Sequence, residues 1–585
     1  MKQLRCASST AHPHRPCGRT TGRTEPDPPY LFSHGAARRP RPTIMSNPAE
    51  TLPAPQALAQ RKPRRRLRKI RGLGLLTHGD LTRHAAKGFR NGFGVLGLLM
   101  VAGAISLGLR RPDYLLAFVS IGLAALVPVA CWVGRRRKGV PVLAVFAVQQ
   151  ATIYLAPLYS ESVSLQGYSA DVMVTSAFGI VLFLLLLPLG WWAGVYALHL
   201  KPSHWNMSLA GSGGGRAKAM TIALTLLMIG IVFELLTFTG SILTLVPTAM
   251  AGFVPVLRTF ASASEALGAM LGGFAVAGPS LGRRAFFYWA LLAVISILSI
   301  SGVLLSAATA LIVAAAIGQA FGRRRLPWAF LGVAIAIAGF LNLGKFTMRD
   351  RYWEKGTMTP ISLAQLPGHY AEWGAASIAK LRGDEGVAGG RDVGVATDEK
   401  GQSLLERIDN YQNMAFVVNA QQVLHTEPLA GEGYTLIPPL FIPRFLWADK
   451  PRTHEGQILL NLHYGRQGSV EDTEKTYIAW GLLPEAVGNF GIVLGPIILG
   501  PLLGFFFGLL EAWSVRKRLF AVEGMIAAAL VLQVLVSFEM AMSVLLTSTF
   551  QMVVAVGVGA SILRLILGSG GTDGVTRSRP SRRNA

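Results

Sequence analysis

Charge is scarce in this 585-residue chain. Only 15% of the residues are Asp, Glu, Lys or Arg, where ordinary globular proteins hold about a quarter. Cysteine is scarcer still, with three residues, Cys6, Cys17 and Cys131. Their spacing makes neither a disulfide framework nor a thiolate metal site. The common catalytic signatures are missing as well. There is no Walker A sequence, no glycine fingerprint in a βαβ setting, no H-E-x-x-H and no G-x-S-x-G. "GSGGG" at 211–215 has no following Lys-Ser/Thr and reads as a linker. No internal repeat stands out, which argues against a transporter of inverted repeats. Residues 1–44 lack a continuous apolar core and so do not read as a secretory signal.

What is present is hydrocarbon: 51% of the residues are hydrophobic and the mean hydropathy is +0.42. Apolar runs of about 20 residues recur, long enough to cross a bilayer core of roughly 30 Å. Twelve such windows can be read, at 93–109, 114–133, 140–158, 172–198, 219–238, 259–279, 286–301, 303–321, 326–345, 486–510, 519–538 and 541–567. The sixth is the weakest, because 241–260 before it carries two prolines and Arg258. The seventh and eighth leave only a tight turn, "SISGVLLS" at 299–306, between them. The expected fold class is therefore an all-α polytopic membrane protein with about 12 transmembrane helices.

The formal net charge of +25 is concentrated rather than spread. Residues 1–91 hold 19 Lys or Arg against 4 Asp or Glu, with "RKPRRRLRKIR" at 61–71. A basic cluster beside a first span is a cytoplasmic retention signal and a contact for anionic lipid, not a nucleic-acid surface. With the N-terminus inside, "RRRK" at 135–138, "RR" at 283–284, "RRR" at 323–325, "RKR" at 516–518 and the basic tail also fall inside. Only Arg110 and Arg111 disagree. Both termini are then cytoplasmic. The expected organisation is a disordered basic N-terminus (1–91), spans one to nine (92–345), an extracytoplasmic loop (346–485), spans ten to twelve (486–567) and a basic tail (568–585). Met45 offers an alternative start, and residues 1–44 are excluded from the fold.

The long loop 346–485 is net acidic, and a loop of that length implies function. Ser403 and Glu406 have capping-box spacing, and Leu404, Ile408, Tyr411, Ala415 and Val418 follow at helical intervals. An amphipathic helix over about 403–424, lying against the outer face, is expected. Three stretches concentrate chemistry-bearing residues. "GKFTMRDRYWEKG" (344–356) brings Lys345, Arg349 and Arg351 beside Tyr352 and Trp353, a pattern that also serves as an interfacial anchor. "IPRFLWADKPRTHEG" (442–456) sets Arg444, Lys450, Arg452 and His454 among prolines and aromatics. "GLLPEAVGNFGIVLG" (481–495) marks re-entry.

Guanidinium groups grip phosphate bidentately, so Arg349, Arg351, Arg407, Arg444 and Arg452 are candidate anion ligands. Trp447, Phe445 and Tyr434 offer flat surfaces for sugar rings. Glu485, among apolar residues, is a candidate general base, or equally an acid placed at a helix N-terminus. Asp449 and His454 are further candidates. Glu234 and Glu539 lie within spans, where acids are expected to be functional.

"GEGYTLIPPLFIPRFLWADKP" (431–451) followed by "GLLPEAVGNFGIVLGPIILG" (481–500) resembles the bacterial oligosaccharide repeat-unit polymerases, the O-antigen polymerase (Wzy-type) class. The resemblance implies a GT-C-like membrane glycosyltransferase of the bacterial inner membrane, metal-independent and without cofactor. Two undecaprenyl-diphosphate-linked oligosaccharides would meet at the outer face, with other polysaccharide assembly proteins as partners. It implies Arg444 as the first diphosphate ligand, with Arg351, Arg407, Lys450 and Arg452 behind it. The turn 299–306 departs from the pattern, which often has an arginine there. An O-antigen-ligase-like transferase is the nearest alternative. Ligases pair His with Asn in the large loop, whereas here Glu455 follows His454 and Thr426 follows His425. A flippase of lipid-linked sugars would need charged, water-lined spans, and these spans carry few ionisable groups. A scaffold in an export complex is the third alternative.

Overall fold

The computed structural model describes residues 78–135, 138–197, 216–242, 254–278, 282–323, 327–354, 357–358, 361–382, 408–442, 446–447, 449–475, 478–517, 522–535 and 540–566. The expectations placed on the N-terminus before residue 78, the C-terminal tail, Ser403, Glu406, Arg407, Arg444, Phe445 and Glu539 lie outside the described residues.

The described chain is almost wholly helical. It runs through α1 (His78–Arg110), α2 (Pro112–Gly134), α3 (Val142–Ser160), α4 (Ala170–Ala197), α5 (Arg216–Phe238), α6 (Val254–Val276), α7 (Arg283–Ile300), α8 (Leu305–Arg323) and α9 (Trp328–Tyr352). A two-residue antiparallel ladder follows, β1 (Trp353–Glu354) on β2 (Thr357–Met358). Short helices come next: α10 (Leu366–Arg382), α11 (Tyr411–Gln422), α12 (Glu432–Thr435), α13 (Ile437–Leu440), α14 (Glu455–His463) and α15 (Val470–Lys475). The chain closes with α16 (Leu482–Ser514), α17 (Val522–Leu535) and α18 (Met542–Ile566).

Eight helices among the described residues, α1 to α5, α7, α9 and α16, are long and apolar enough to cross a membrane. Ala308–Ala320 and Met542–Val558 are shorter apolar stretches. The protein is thus a polytopic membrane protein. Each of the twelve windows read from the sequence overlaps a helix. Two fall outside both sets: α6, with Arg258, Ser262, Ser264 and Glu265, and α17, with 14 residues. Helix α6 also starts earlier than its window and includes Arg258.

The helices gather around two main cores. Trp132, Phe146, Tyr154, Phe183, Tyr411, Trp480 and Phe507 centre the first, which joins α2 to α4 with α11 and α16. Met220, Leu227, Phe274, Tyr288 and Leu311 centre the second, among α5 to α8, with Leu532 and Met552 from α17 and α18. In lipid, close packing rather than water exclusion holds helices together. The α4–α16 crossing shows how. A β-carbon on Gly190 would lie 1.9 Å from the Pro501 carbonyl oxygen, and one on Gly504 would lie 2.0 Å from that of Leu187. Only glycine permits this approach. At the far end of α16 the fully buried Glu511 ties the helices. Its Oε1 lies 2.9 Å from Arg135 Nη1, and its Oε2 accepts from Trp191 Nε1 at 2.8 Å.

Two expectations need correction in their details. The amphipathic helix expected over 403–424 is α11, which starts at Tyr411 and ends at Gln422. It is no surface helix: Tyr411, Met414, Ala415, Val417 and Val418 are all fully buried, and the Tyr411 hydroxyl donates to the Met173 carbonyl at 2.6 Å. Its start is set by Asp409, whose Oδ1 accepts the Gln412 N–H at 2.8 Å. Second, the span expected from 486 is broken. Gly491 has φ 85° and ψ 171°, and Gly495 lies against the backbone of Ala486, 2.8 Å from where a β-carbon would sit. Nine residues of straight helix would separate those positions by about 13.5 Å. The chain therefore folds back at Gly491 into a half-helix, Leu482–Phe490, and the long helix after it. The tight turn expected between α7 and α8 is present, and it holds Val303 at φ 59°. That is a strained setting for a β-branched residue, and it is held by full burial against Met348 and Trp373.

Candidate functional site

The half-helix Leu482–Phe490 ends abruptly at Gly491, which leaves its last carbonyls without helical partners. The long loop satisfies them. Leu429 N–H donates to the Gly488 carbonyl at 3.1 Å and Gly431 N–H to that of Asn489 at 3.0 Å. The Tyr464 hydroxyl donates to the Gly488 carbonyl at 2.8 Å. Gln421 Nε2 donates to the Val487 carbonyl at 2.9 Å. The Asn489 side chain works both ways: Oδ1 accepts Gly433 N–H at 3.0 Å and Nδ2 donates to the Glu485 carbonyl at 2.9 Å. The Tyr434 and Phe490 rings meet with centroids 5.2 Å apart. The stretches 431–451 and 481–500, thirty residues apart in sequence, are thus joined where they share the end of the half-helix.

Glu485 lies inside this unit. It is 1% exposed, and its Oε2 accepts the backbone N–H of Met542, the first residue of α18, at 2.5 Å. The carboxylate thus meets the backbone at the N-terminus of α18, and Glu485 also stands in the first turn of its own helix. The Tyr434 hydroxyl is shielded beside it and makes no hydrogen bond among the described residues. Burial, and then the Glu485 carboxylate, push the Tyr434 phenol well above its ordinary range. One residue beyond Met542, the buried Ser543 Oγ also lacks a partner among the described residues.

Just before the cationic stretch, Phe441 packs edge-on against Phe550 of α18 at 5.2 Å. Lys450 Nζ donates to the carbonyls of Leu440 at 2.7 Å and Ile442 at 2.6 Å, so it closes the loop on itself. His454 Nδ1 lies 2.7 Å from Gln457 Oε1, at the start of α14. Arg452 N–H reaches Glu455 Oε2 at 3.4 Å. Trp447 is 42% exposed.

Arg351 and Tyr352, at the end of α9, belong to a separate cluster with α10. Arg351 pairs with Glu372, whose Oε2 accepts the Tyr352 hydroxyl at 2.7 Å. That bond, with Arg351, holds the Glu372 carboxyl below its ordinary 4.5. Lys345 is buried on the same helix as Arg349 and Arg351. The structure therefore unites Glu485 and Tyr434, places Lys450, Arg452, His454 and Trp447 in the adjoining loop, and ties Arg351 to another element. Within the membrane region, Glu234 on α5 is joined by the buried Glu265 of α6, whose Oε1 has no hydrogen bond among the described residues.

Sequence reasoning missed Arg466. Its guanidinium carbon lies 5.3 Å from the Phe416 ring centroid and 5.6 Å from that of Trp480. Burial lowers its guanidinium to about 10, so it stays charged at neutral pH. Its Nη1 is shielded and makes no hydrogen bond, and among the described residues no carboxylate lies within ion-pairing distance of it. Asn461 holds the backbone beneath: its carbonyl accepts Arg466 N–H at 2.8 Å, and its Oδ1 accepts Trp480 Nε1 at 2.7 Å. Asn461 Nδ2 is a second buried donor without a partner among the described residues. Tyr168, at the neighbouring loop, has its phenol raised by burial and lowered in part by Arg466. Asp409 is raised by burial too, while Ser164 Oγ donates to its Oδ2 at 2.7 Å.

Among the described residues no group of three His, Cys, Asp or Glu is placed to hold a metal. Compared with known proteins, the chain matches no family model, no curated protein and no solved structure.

Proposed function

We propose that this protein is a membrane glycosyltransferase that polymerises undecaprenyl-diphosphate-linked oligosaccharide repeat units at the outer face of the bacterial inner membrane. One observation carries the reading. The two stretches in which the chain resembles repeat-unit polymerases form one hydrogen-bonded unit, through Gly431 and Gly433 on Asn489. Sequence patterns that meet around one buried helix break fit a site better than two unrelated loops. In the full reading, twelve spans leave both termini inside and the loop 346–485 outside.

In this reaction a sugar hydroxyl on one lipid-linked glycan attacks the anomeric carbon of another. The bond from that carbon to the diphosphate breaks, and undecaprenyl diphosphate leaves with the electron pair. Cationic side chains stabilise the charge that develops on the leaving group. Arg444, implied by the resemblance, fills that role, with Arg452 behind it. Trp447 offers its exposed side chain to a sugar ring. His454, oriented through Nδ1 on Gln457, takes the hydroxyl proton. Glu485 anchors the floor of the site.

The test is deletion of the gene in its host, with surface and secreted glycan separated by size, followed by complementation with wild type and Arg444→Ala at matched protein level. The expected result is loss of long chains with single repeat units retained, restored by wild type and not by the variant. Long chains that persist on the lipid carrier would instead favour a ligase-like transfer. An unchanged profile would overturn the glycan reading.

A further inference from the structure

A buried cation without a counter-charge costs several kcal/mol and persists where something offsets it. The part-buried Arg135, by contrast, is paired with the Glu511 carboxylate. Arg466 has two aromatic faces and a tyrosine instead. The rings of Phe416 and Trp480 lie within cation–π distance of the guanidinium, whose Nη1 is shielded and unpaired among the described residues. Asn461 Nδ2 adds a second unpaired donor on the Trp480 side of the box. The sequence neighbours of Tyr168 and Arg466, among them Gln166, Gly167, Ser169, Gly465 and Gly468, are exposed. The box adjoins the half-helix directly, because Tyr464 both touches Trp480 and donates to the Gly488 carbonyl.

A planar cation with spare N–H donors matches an oxyanion of the phosphate class. We propose that Arg466, framed by Phe416, Trp480 and Asn461, is a binding residue for the diphosphate of the lipid-linked substrate. The inference rests on the glycosyltransferase reading, since a bilayer phospholipid would present similar phosphate chemistry.

Full-length protein in phosphatidylcholine nanodiscs, wild type, Arg466→Gln and Arg466→Lys, is titrated with undecaprenyl diphosphate, with undecaprenol and phosphatidylglycerol as competitors. Thermal unfolding without ligand accompanies each protein. The wild type binds the diphosphate, and neither competitor displaces it. Arg466→Gln binds it weaker by about tenfold or more, as loss of one charge-assisted contact implies. Arg466→Lys, which keeps charge without the planar fork, falls between. Equal binding by wild type and Arg466→Gln overturns the assignment and leaves the proposed function standing. No binding by wild type removes both. Displacement by phosphatidylglycerol reassigns Arg466 to a bilayer headgroup and overturns the substrate role. If the Gln variant does not fold, the Lys variant decides: binding equal to wild type overturns the bidentate grip.

Discussion

The carboxylate of Glu485 accepts the backbone N–H of Met542, so the half-helix before Gly491 holds the first turn of α18 across 57 residues of sequence. A glutamine at position 485 keeps an acceptor oxygen there, and an alanine leaves the N–H buried and unpaired. Glu485→Ala is expected to lower stability by about 1–3 kcal/mol, and Glu485→Gln by clearly less. Polymer length in complemented cells should follow the same order, with Glu485→Gln close to wild type. A Gln variant that unfolds normally but makes no polymer would return Glu485 to the role of base.

Gly491 makes the second test. Its φ of 85° and ψ of 171° lie in a region essentially closed to residues with a β-carbon. Gly491→Ala should cost roughly 1–3 kcal/mol and weaken the fold-back that offers the Gly488 and Asn489 carbonyls to the loop. Thermal unfolding in detergent, together with limited proteolysis of the 429–435 segment, reads both effects. An unchanged melting temperature would show that the break is not enforced by this residue.

Much of the fold was legible because hydrocarbon runs announce themselves: every window read as a span overlaps a helix. The break at Gly491 was not, although "GNFG" stood in view. A glycine inside an apolar run signals nothing until its dihedral angles place Gly495 on Ala486. Glu485 and Tyr434 were both singled out as chemistry-bearing residues, and the structure puts them side by side. Arg466 escaped because its aromatic partners come from positions 416 and 480, with Tyr168 from another loop. Arg351 looked available in sequence, and the carboxylate that claims it lies 21 residues on, on a different helix.

The α4–α16 crossing predicts a sharp size limit. A β-carbon at Gly504 would collide with the Leu187 carbonyl, and one at Gly508 with that of Trp191, at 2.0 and 2.2 Å. Gly504→Leu should abolish accumulation of folded protein in the membrane, since backbone on both sides leaves nothing to yield. Gly557, with open space around its β-position, is the matched control, and Gly557→Ala should be tolerated. Size-exclusion profiles of the detergent-extracted variants compare them. A monodisperse Gly504→Leu protein would show that the two helices can separate without loss of the fold.

Glu372 supplies a pH test. The Tyr352 hydrogen bond first, then Arg351, hold its carboxyl below the ordinary 4.5. A depressed carboxyl contributes stability above its unfolded value, and that contribution disappears as the pH falls through the folded value. The window therefore lies below pH 4.5. Wild type and Glu372→Gln are melted side by side between about pH 3 and pH 7, a range that brackets ordinary carboxyl titration. The difference in melting temperature should be constant near neutrality and shrink below pH 4.5, as wild type loses what the variant never had. A difference that stays constant down to the lowest pH would show that the carboxylate does not hold α9 to α10. Growth of the gap on acidification would reverse the sign and place Glu372 in a setting that favours its protonated form.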